Sequence, residues 1–305
     1  MSRIGVVIPV HNRPGMVRDA LDRVVAQTLA PFRVVVVDDG STDHTAAAVE
    51  SWVRHHSGAP VELVRQPHGG AAAARNRGLD LLSDCPLVAF LDSDDLWPAS
   101  FLDRALSALV GRDDAVAATS DRVVIDHEKR TVVNKSSVNL ARDAVLHFLQ
   151  KGADVTSATL FPSHVVRRLG GYPEEVPTGH DSALFLRLGL EGRWLHVPGE
   201  AVVIRRALGP LRGEEGRIGA RFTDSQRRWM EIREDFLARF SHRLQVEPEA
   251  YSSGIAGQWR LAGRQLRQAG LIDEAEQCFR SSREWLADPR LSLSRLRERS
   301  ARASG

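Results

Sequence analysis

The chain has 305 residues, 43% of them hydrophobic and 26% charged, which is enough for one large domain with an appendage. Its 41 basic and 39 acidic side chains leave a net charge of +2, which excludes a nucleic-acid binder acting through overall charge. Two distant cysteines, Cys85 and Cys278, exclude a disulfide framework and a cysteine metal knuckle, and fit a reducing compartment.

Ile4 to Val10 predicts a short buried strand. Val17, Leu21, Val24, Val25 and Leu29 then recur at helical spacing over 15–29. Phe32 to Val37 predicts a second strand, and 44–56 a helix with Val49, Trp52 and Val53 on one side. Val61 to Val64 is a third strand, and Gly69 to Ala74 leads into a helix ending near Leu82. Leu87 to Leu91 is a fourth strand, followed by a helix over 99–110. Continuous apolar strands between amphipathic helices imply a parallel sheet covered on both faces. Right-handed crossovers then put the strands' C-terminal ends on one edge, where such sheets bind ligands.

From 115 the pattern loosens. Val116–Thr119, Arg122–Ile125 and Thr131–Val133 predict short strands, 142–150 and 163–169 helices, and 208–213 a loop. After Phe222 the chain reads as helical. Gln258–Ala269 and Asp273–Leu286 form a pair around Gly270, with Trp259, Ala262 and Leu266 against Ala275, Phe279 and Leu286. The tail carries Arg290, Arg295, Arg297, Arg299 and Arg302. It is expected to fray and is a candidate contact for anionic lipid. The opening apolar run is too short for a signal segment, and no stretch approaches roughly 20 apolar residues. The expectation is a cytoplasmic protein, with peripheral contact at the inner membrane face as an option.

The polar residues fall at the strand ends: His11-Asn12 after the first, Asp38-Asp39 to Asp43 after the second, Gln66 to Gly70 after the third, Asp92 to Asp95 after the fourth. Five carboxylates, Asp38, Asp39, Asp92, Asp94 and Asp95, are thus expected on one rim. Like charges that close repel. A hard divalent cation, Mg²⁺ or Mn²⁺, relieves them and completes its shell with substrate phosphates. Taken singly, each acidic stretch reads equally well as helix-cap chemistry. The two together, each after a buried strand, favour a diphosphate site.

Val7-Ile8-Pro9-Val10-His11-Asn12, Val37 to Asp43, Ala74-Arg75-Asn76-Arg77-Gly78 and Leu91-Asp92-Ser93-Asp94-Asp95 resemble, in order and spacing, the motif series of glycosyltransferase family 2. The resemblance covers about residues 3–205. It implies a Rossmann-like GT-A domain over 1–215, with a mixed, mainly parallel sheet, a nucleotide-binding half to 115 and an acceptor-binding half after it. A C-terminal helical region would follow over 216–305.

The activity implied is inverting, metal-assisted sugar transfer from a nucleotide sugar, with a UDP-sugar favoured. Pro9 and His11 fall beside the nucleobase, and Asp39 where the uracil imide is read. Arg75 falls at a base- or phosphate-facing position, with a plain surface arginine as the alternative. Asp92, Ser93 and Asp94 match the Asp-x-Asp motif. Asp94 is the leading metal ligand, Asp92 serves ribose or metal, and Asp95 is a third candidate. Gly170-Gly171-Tyr172 and Thr178-Gly179-His180-Asp181 match the segment that carries the base, which makes Asp181 the base and His180 and Tyr172 acceptor-side candidates. A helix N-cap is the plainer role for Asp181. The histidine that many relatives carry after the last core strand is missing here, leaving Arg205 or Arg206 for the phosphates.

The acceptor implied is a glycan, a lipid-linked glycan, a natural product or a peptide, with no nucleic acid. A homodimer is one use of the C-terminal helices. The competing class is a nucleotide-sugar-binding or docking protein without turnover. A sugar-phosphate nucleotidyltransferase is disfavoured, because Val10-His11-Asn12-Arg13-Pro14 stands where its Gly-rich loop belongs.

Overall fold

The computed structural model describes residues 3–126, 131–153, 155–176, 178–206 and 215–303. In chain order these form β1 (Ile4–Val10), α1 (Pro14–Val25), β2 (Arg33–Asp39), α2 (Thr45–His55), β3 (Val61–Gln66), α3 (Ala71–Leu81), β4 (Leu87–Phe90) and α4 (Phe101–Leu109). There follow β5 (Ala115–Asp126), β6 (Thr131–Lys135), α5 (Val138–Arg142), α6 (Ala144–Lys151), β7 (Thr159–Pro162), α7 (Ser163–Arg168), α8 (His180–Glu191) and β8 (Arg193–Arg206). Four helices complete the chain: α9 (Glu215–Phe240), α10 (Pro248–Gln268), α11 (Ile272–Ala287) and α12 (Pro289–Ala303). Two compact units result. One comprises Met1–Ala144, Asp154–Pro177 and Glu191–Leu208; the other comprises Val145–Ala153, Thr178–Leu190 and Gly209–Gly305.

The first unit is built on a mixed sheet of order β3-β2-β1-β4-β7-β5-β6, with β8 paired to β5. β3, β2, β1 and β4 run parallel. β7 is antiparallel to β4 and to β5, and β8 is parallel to β5. All seven residues of β1 are buried, as are six of seven in β2. That is why these strands read as unbroken apolar runs. Val17, Leu21 and Val24 of α1 join Trp52, Phe101 and Leu102 in the core beside them. The expected α/β architecture is therefore the observed one, and β1, β2 and β4 end together at one edge.

Local departures have local causes. Val116–Thr119 and Arg122–Ile125 belong to one strand, β5, and the polar break between them marks a register shift against β8 from Ser120 to Arg122. The helix expected over 142–150 is two helices divided at Asp143, whose backbone is extended. The loop expected at 208–213 lies outside the described residues.

In the second unit Gly270 closes α10 with φ of 80°, and Leu271 N–H reaches the Leu266 carbonyl at 3.0 Å. This left-handed closure suits glycine. Trp259, Ala262, Leu266 and Ala275 are buried as expected, but Leu286 is 50% exposed. Trp285 takes the inward position instead. Its indole N–H donates to Glu234 Oε1 at 3.2 Å, and Trp259 donates to the same oxygen at 2.9 Å. The Arg-rich tail is not frayed: it forms α12, with Arg290 donating to Glu247 and Glu249 at 2.9 and 3.0 Å.

Gly78 is what lets α3 lie close on β1. A Cβ there would sit 2.3 Å from Val7 Cγ1. Gly78→Ala is expected to destabilise the protein by about 1–3 kcal/mol through overpacking. An unchanged urea midpoint would show that the helix can move off the sheet without cost.

Candidate functional site

The ends of β1 and β2 are stitched together by side chains. Asn12 adopts φ of 51°, a left-handed conformation that asparagine tolerates. Its backbone N–H donates to Ser41 Oγ at 2.9 Å, and its Oδ1 accepts from Thr42 N–H at 2.9 Å. Arg13 N–H donates to Thr45 Oγ1 at 2.8 Å. His11 Nδ1–H donates to the Asp39 carbonyl at 2.8 Å, which leaves Nε2 to accept from Asn12 Nδ2 at 3.1 Å.

Asp39 is the anchor of the β3–α3 loop. Its Oδ1 accepts from Gln66 Nε2 at 2.7 Å and Gly69 N–H at 2.9 Å. Its Oδ2 accepts from Gly70 N–H and His68 Nδ1, both at 2.8 Å. Burial pushes this carboxyl up, but the Gly69, Gln66, Gly70 and His68 donors outweigh it and hold it below the ordinary range. Gly40 shares in the arrangement: at φ of 70°, a Cβ would meet the His68 backbone nitrogen at 2.7 Å.

The Asp92–Asp95 loop is held from four sides. Arg75 on α3 donates to Asp92 Oδ1 at 2.5 Å, its guanidinium lying 5.2 Å from the Tyr172 ring centre. Arg13 pairs with Asp94 Oδ2 at 2.7 Å. Ser157 accepts from Asp92 N–H at 3.1 Å and donates to Asp95 Oδ2 at 2.5 Å. From β8, Arg205 N–H donates to Asp95 Oδ1 at 3.0 Å, and the Arg205 side chain reaches the Asp94 carbonyl and Asp19. Burial raises the Asp94 carboxyl, with Arg13 opposing and Asp92 adding to the rise. Burial, followed by Asp92, pushes Asp95 well above the ordinary range.

One pocket of about 380 Å³ collects Pro9, His11, Arg13, Asp39, His68, Arg75, Asp92, Ser93 and Asp94 in its lining. Three of the five expected acids line it. Asp38 is fully buried and takes the Ser41 N–H at 3.1 Å, while Asp95 is engaged by Ser157 and Arg205. Tyr172 is buried beneath Arg75, against the edge of Phe90. The sequence reading placed Gln66 and His68 at the strand ends without a role, and missed the roles of Arg13 and Ser157. Arg13 abuts the His11-Asn12 motif, but nothing local points it at Asp94. The Arg206 side chain lies outside the described residues.

Asp92 and Asp94, the two loop carboxylates that line the pocket, suit Mg²⁺ or Mn²⁺, which bind through one or two carboxylates plus phosphate oxygens. Among the described residues, only His11, Asp39 and His68 bring three metal-ligating atoms within 4.8 Å of one another, and hydrogen bonds already account for that grouping.

In the second unit Asp181 lies in the first turn of α8, with Oδ1 accepting from Ser182 N–H at 2.8 Å. It acts electrostatically on Arg233, whose guanidinium burial pulls down to about 10 while Asp181 opposes the fall. Arg233 donates to the Phe148 and Trp229 carbonyls, both at 3.2 Å. A Cβ on Gly179, before His180, would meet Trp229 at 2.6 Å.

The model of "Glycosyl transferase family 2" matches residues 5–164, just over half of the chain. The chain belongs to glycosyltransferase family 2. The succinoglycan biosynthesis protein ExoW of Rhizobium meliloti is 40% identical over 115 residues, 37% of this chain and 36% of that protein. The uncharacterized glycosyltransferase YibD of Escherichia coli is 27% identical over 121 residues, 39% of this chain and 34% of its own. The chain thus spans about a third of the length of these curated relatives. Among solved structures, TarS of S. aureus in complex with UDP-GlcNAc aligns with a TM-score of 0.62 at 18% identity, covering 92% of each chain. The mannosyltransferase PcManGT from Pyrobaculum calidifontis, in complex with GDP-Man and Mn²⁺, aligns with a TM-score of 0.58 at 22% identity, covering 99% of this chain and 81% of that one. These likenesses establish the GT-A fold.

Asp39 provides a pH signature. A carboxyl held low contributes stability that is full above the unfolded value of about 3.9 and is lost as pH falls through the lower folded value. Asp39→Asn is therefore expected to cost about 2 kcal/mol near pH 6, the scale of a charged hydrogen bond, and progressively less below pH ~4. Denaturant titrations of both proteins at several pH values measure the gap. A gap independent of pH would mean that the loop does not depend on the carboxylate charge.

Proposed function

We propose that the chain transfers a sugar from a nucleotide-sugar donor, a UDP-sugar by preference, to an acceptor hydroxyl with inversion at the anomeric carbon. One observation carries this reading: Asp39, Asp92 and Asp94 share a single pocket with His11, Arg13 and Arg75 at the C-terminal edge of β1, β2 and β4. Membership of glycosyltransferase family 2 supports it, as do neighbours of the same fold that hold UDP-GlcNAc, or GDP-Man and Mn²⁺.

In this reading Pro9 and His11 flank the base and Asp39 accepts from the uracil imide. His68, 61% exposed on its side chain, is the one Asp39 partner free to yield its place. Asp92 and Ser93 receive the ribose and diphosphate end. Mg²⁺ or Mn²⁺ held by Asp94 with Asp92 would, when bound, offset charge on the departing diphosphate. Asp95 keeps the loop in shape through Ser157 and the Arg205 N–H. Arg13 and Arg75 orient the two carboxylates that line the pocket. Asp181 takes the acceptor proton as the hydroxyl oxygen attacks, with His180 and Tyr172 on the acceptor side. The acceptor is a glycan, a lipid-linked glycan, a natural product or a peptide.

A donor screen by UDP release with Mn²⁺ present tests the reaction. Asp181→Asn is expected to lower turnover by about 10²–10⁴ while calorimetric UDP affinity holds, as for loss of a general base. Full turnover in that variant would remove Asp181 from the role. Asp94→Asn should abolish the effect of Mn²⁺ on UDP binding; an undiminished effect would move the cation elsewhere.

A further inference from the structure

A cluster of positive charge outside the pocket lies on α10 and α11. A groove of about 620 Å³ between these helices is lined by Arg260, Arg264, Arg267 and Arg283, with Phe279 and Leu286 as its apolar part. Arg260, Arg264 and Arg267 are spaced at four and three residues, so they share one face of α10. Gly263 makes the groove close: a Cβ there would meet Phe279 Cε1 at 2.7 Å. Among the described residues none of the four arginines forms an ion pair.

The tail differs in kind. Arg290 is paired with Glu247 and Glu249, Arg295 with Glu284, and Arg297 donates to Ser241 Oγ. Folding thus draws Arg290, Arg295 and Arg297 into internal contacts and leaves unpaired charge in the groove. Large apolar side chains are also exposed on these two helices: Leu261 at 41%, three residues before Arg264 on α10, and Ile272 at 52%, seven residues before Phe279 on α11.

We propose that this face of α10 and α11 binds the surface of an anionic phospholipid bilayer. The arginine forks engage headgroup phosphates, and Leu261, Ile272 and Leu286 enter the boundary with the acyl chains. Arginine suits phosphate because its planar guanidinium donates two parallel hydrogen bonds. Exposed leucine and isoleucine beside unpaired arginine is the pattern of an interfacial helix, and a soluble polyanion has no use for the apolar half. The proposal stands apart from the transfer reaction, because none of its residues lines the donor pocket or belongs to the Asp181 turn of α8.

Flotation of the full chain with phosphatidylglycerol/phosphatidylcholine vesicles, against pure phosphatidylcholine, tests it. Each basic residue near an anionic surface contributes about fivefold in partitioning, so R260Q/R264Q/R267Q should bind roughly 100-fold more weakly. R290Q/R295Q/R297Q, with the same change in net charge, should keep most of the binding. L286D should weaken binding with no loss of arginine. Thermal unfolding and UDP calorimetry on each variant report intact folding separately. Equal losses in the two triple variants, or no requirement for phosphatidylglycerol, would overturn the assignment. So would saturation of the groove by inorganic pyrophosphate without any vesicle binding, which would mark a soluble anion as the ligand.

Discussion

Burial of Asp94 and Asp95 beside Asp92 is the constraint on which the loop after β4 depends. Two carboxylate charges about 4 Å apart repel by about 4 kcal/mol in a partly polar protein environment. No single hydrogen bond offsets that, since a charged one contributes about 1.5–3 kcal/mol. Compensation therefore comes from several elements at once: Arg75 from α3, Arg13 from the end of β1, Ser157 from the turn before β7, and Arg205 from β8. The Leu96–Val203 bridge ties the same loop to β8 through the backbone. Asp94 and Asp95 nonetheless stay raised, chiefly by burial. Under the proposed function, such a site gives up stability for the capacity to receive a cation and phosphates.

Asp39 stands at the opposite extreme. Two of its donors are backbone N–H groups and a third is the Gln66 amide, and these stabilise the anion. One pocket therefore holds Asp39, a carboxylate kept low by its donors, together with Asp94, a carboxylate raised by burial.

The second unit follows a different principle. Its core is mainly apolar, with Phe148, Phe185, Leu237, Tyr251 and Ile255 buried, and the Glu234 carboxylate accepts from two indole N–H groups. No helix among the described residues is long and apolar enough to cross a membrane. Its surface charge is sorted instead, with Arg290 and Arg295 of α12 paired and the arginines between α10 and α11 unpaired.

The sequence by itself determined the β1–β4 framework and the location of the site. Apolar runs such as Val34 to Val37 demand burial on both faces, and parallel connection then carries His11, Asp39 and Asp94 to one edge. Even the turning of Asp38 away from Asp39 follows from strand alternation, since neighbouring residues face opposite sides. Only the tertiary structure decided which partners answer the charges. Ser157 and Arg205 lie 62 and 110 residues from Asp95, and no local period links them. Likewise the arginines of the tail and of α10 look alike in sequence. Which of them meet carboxylates depends on how separate helices pack, because an ion pair is set by distance in space and not by spacing along the chain.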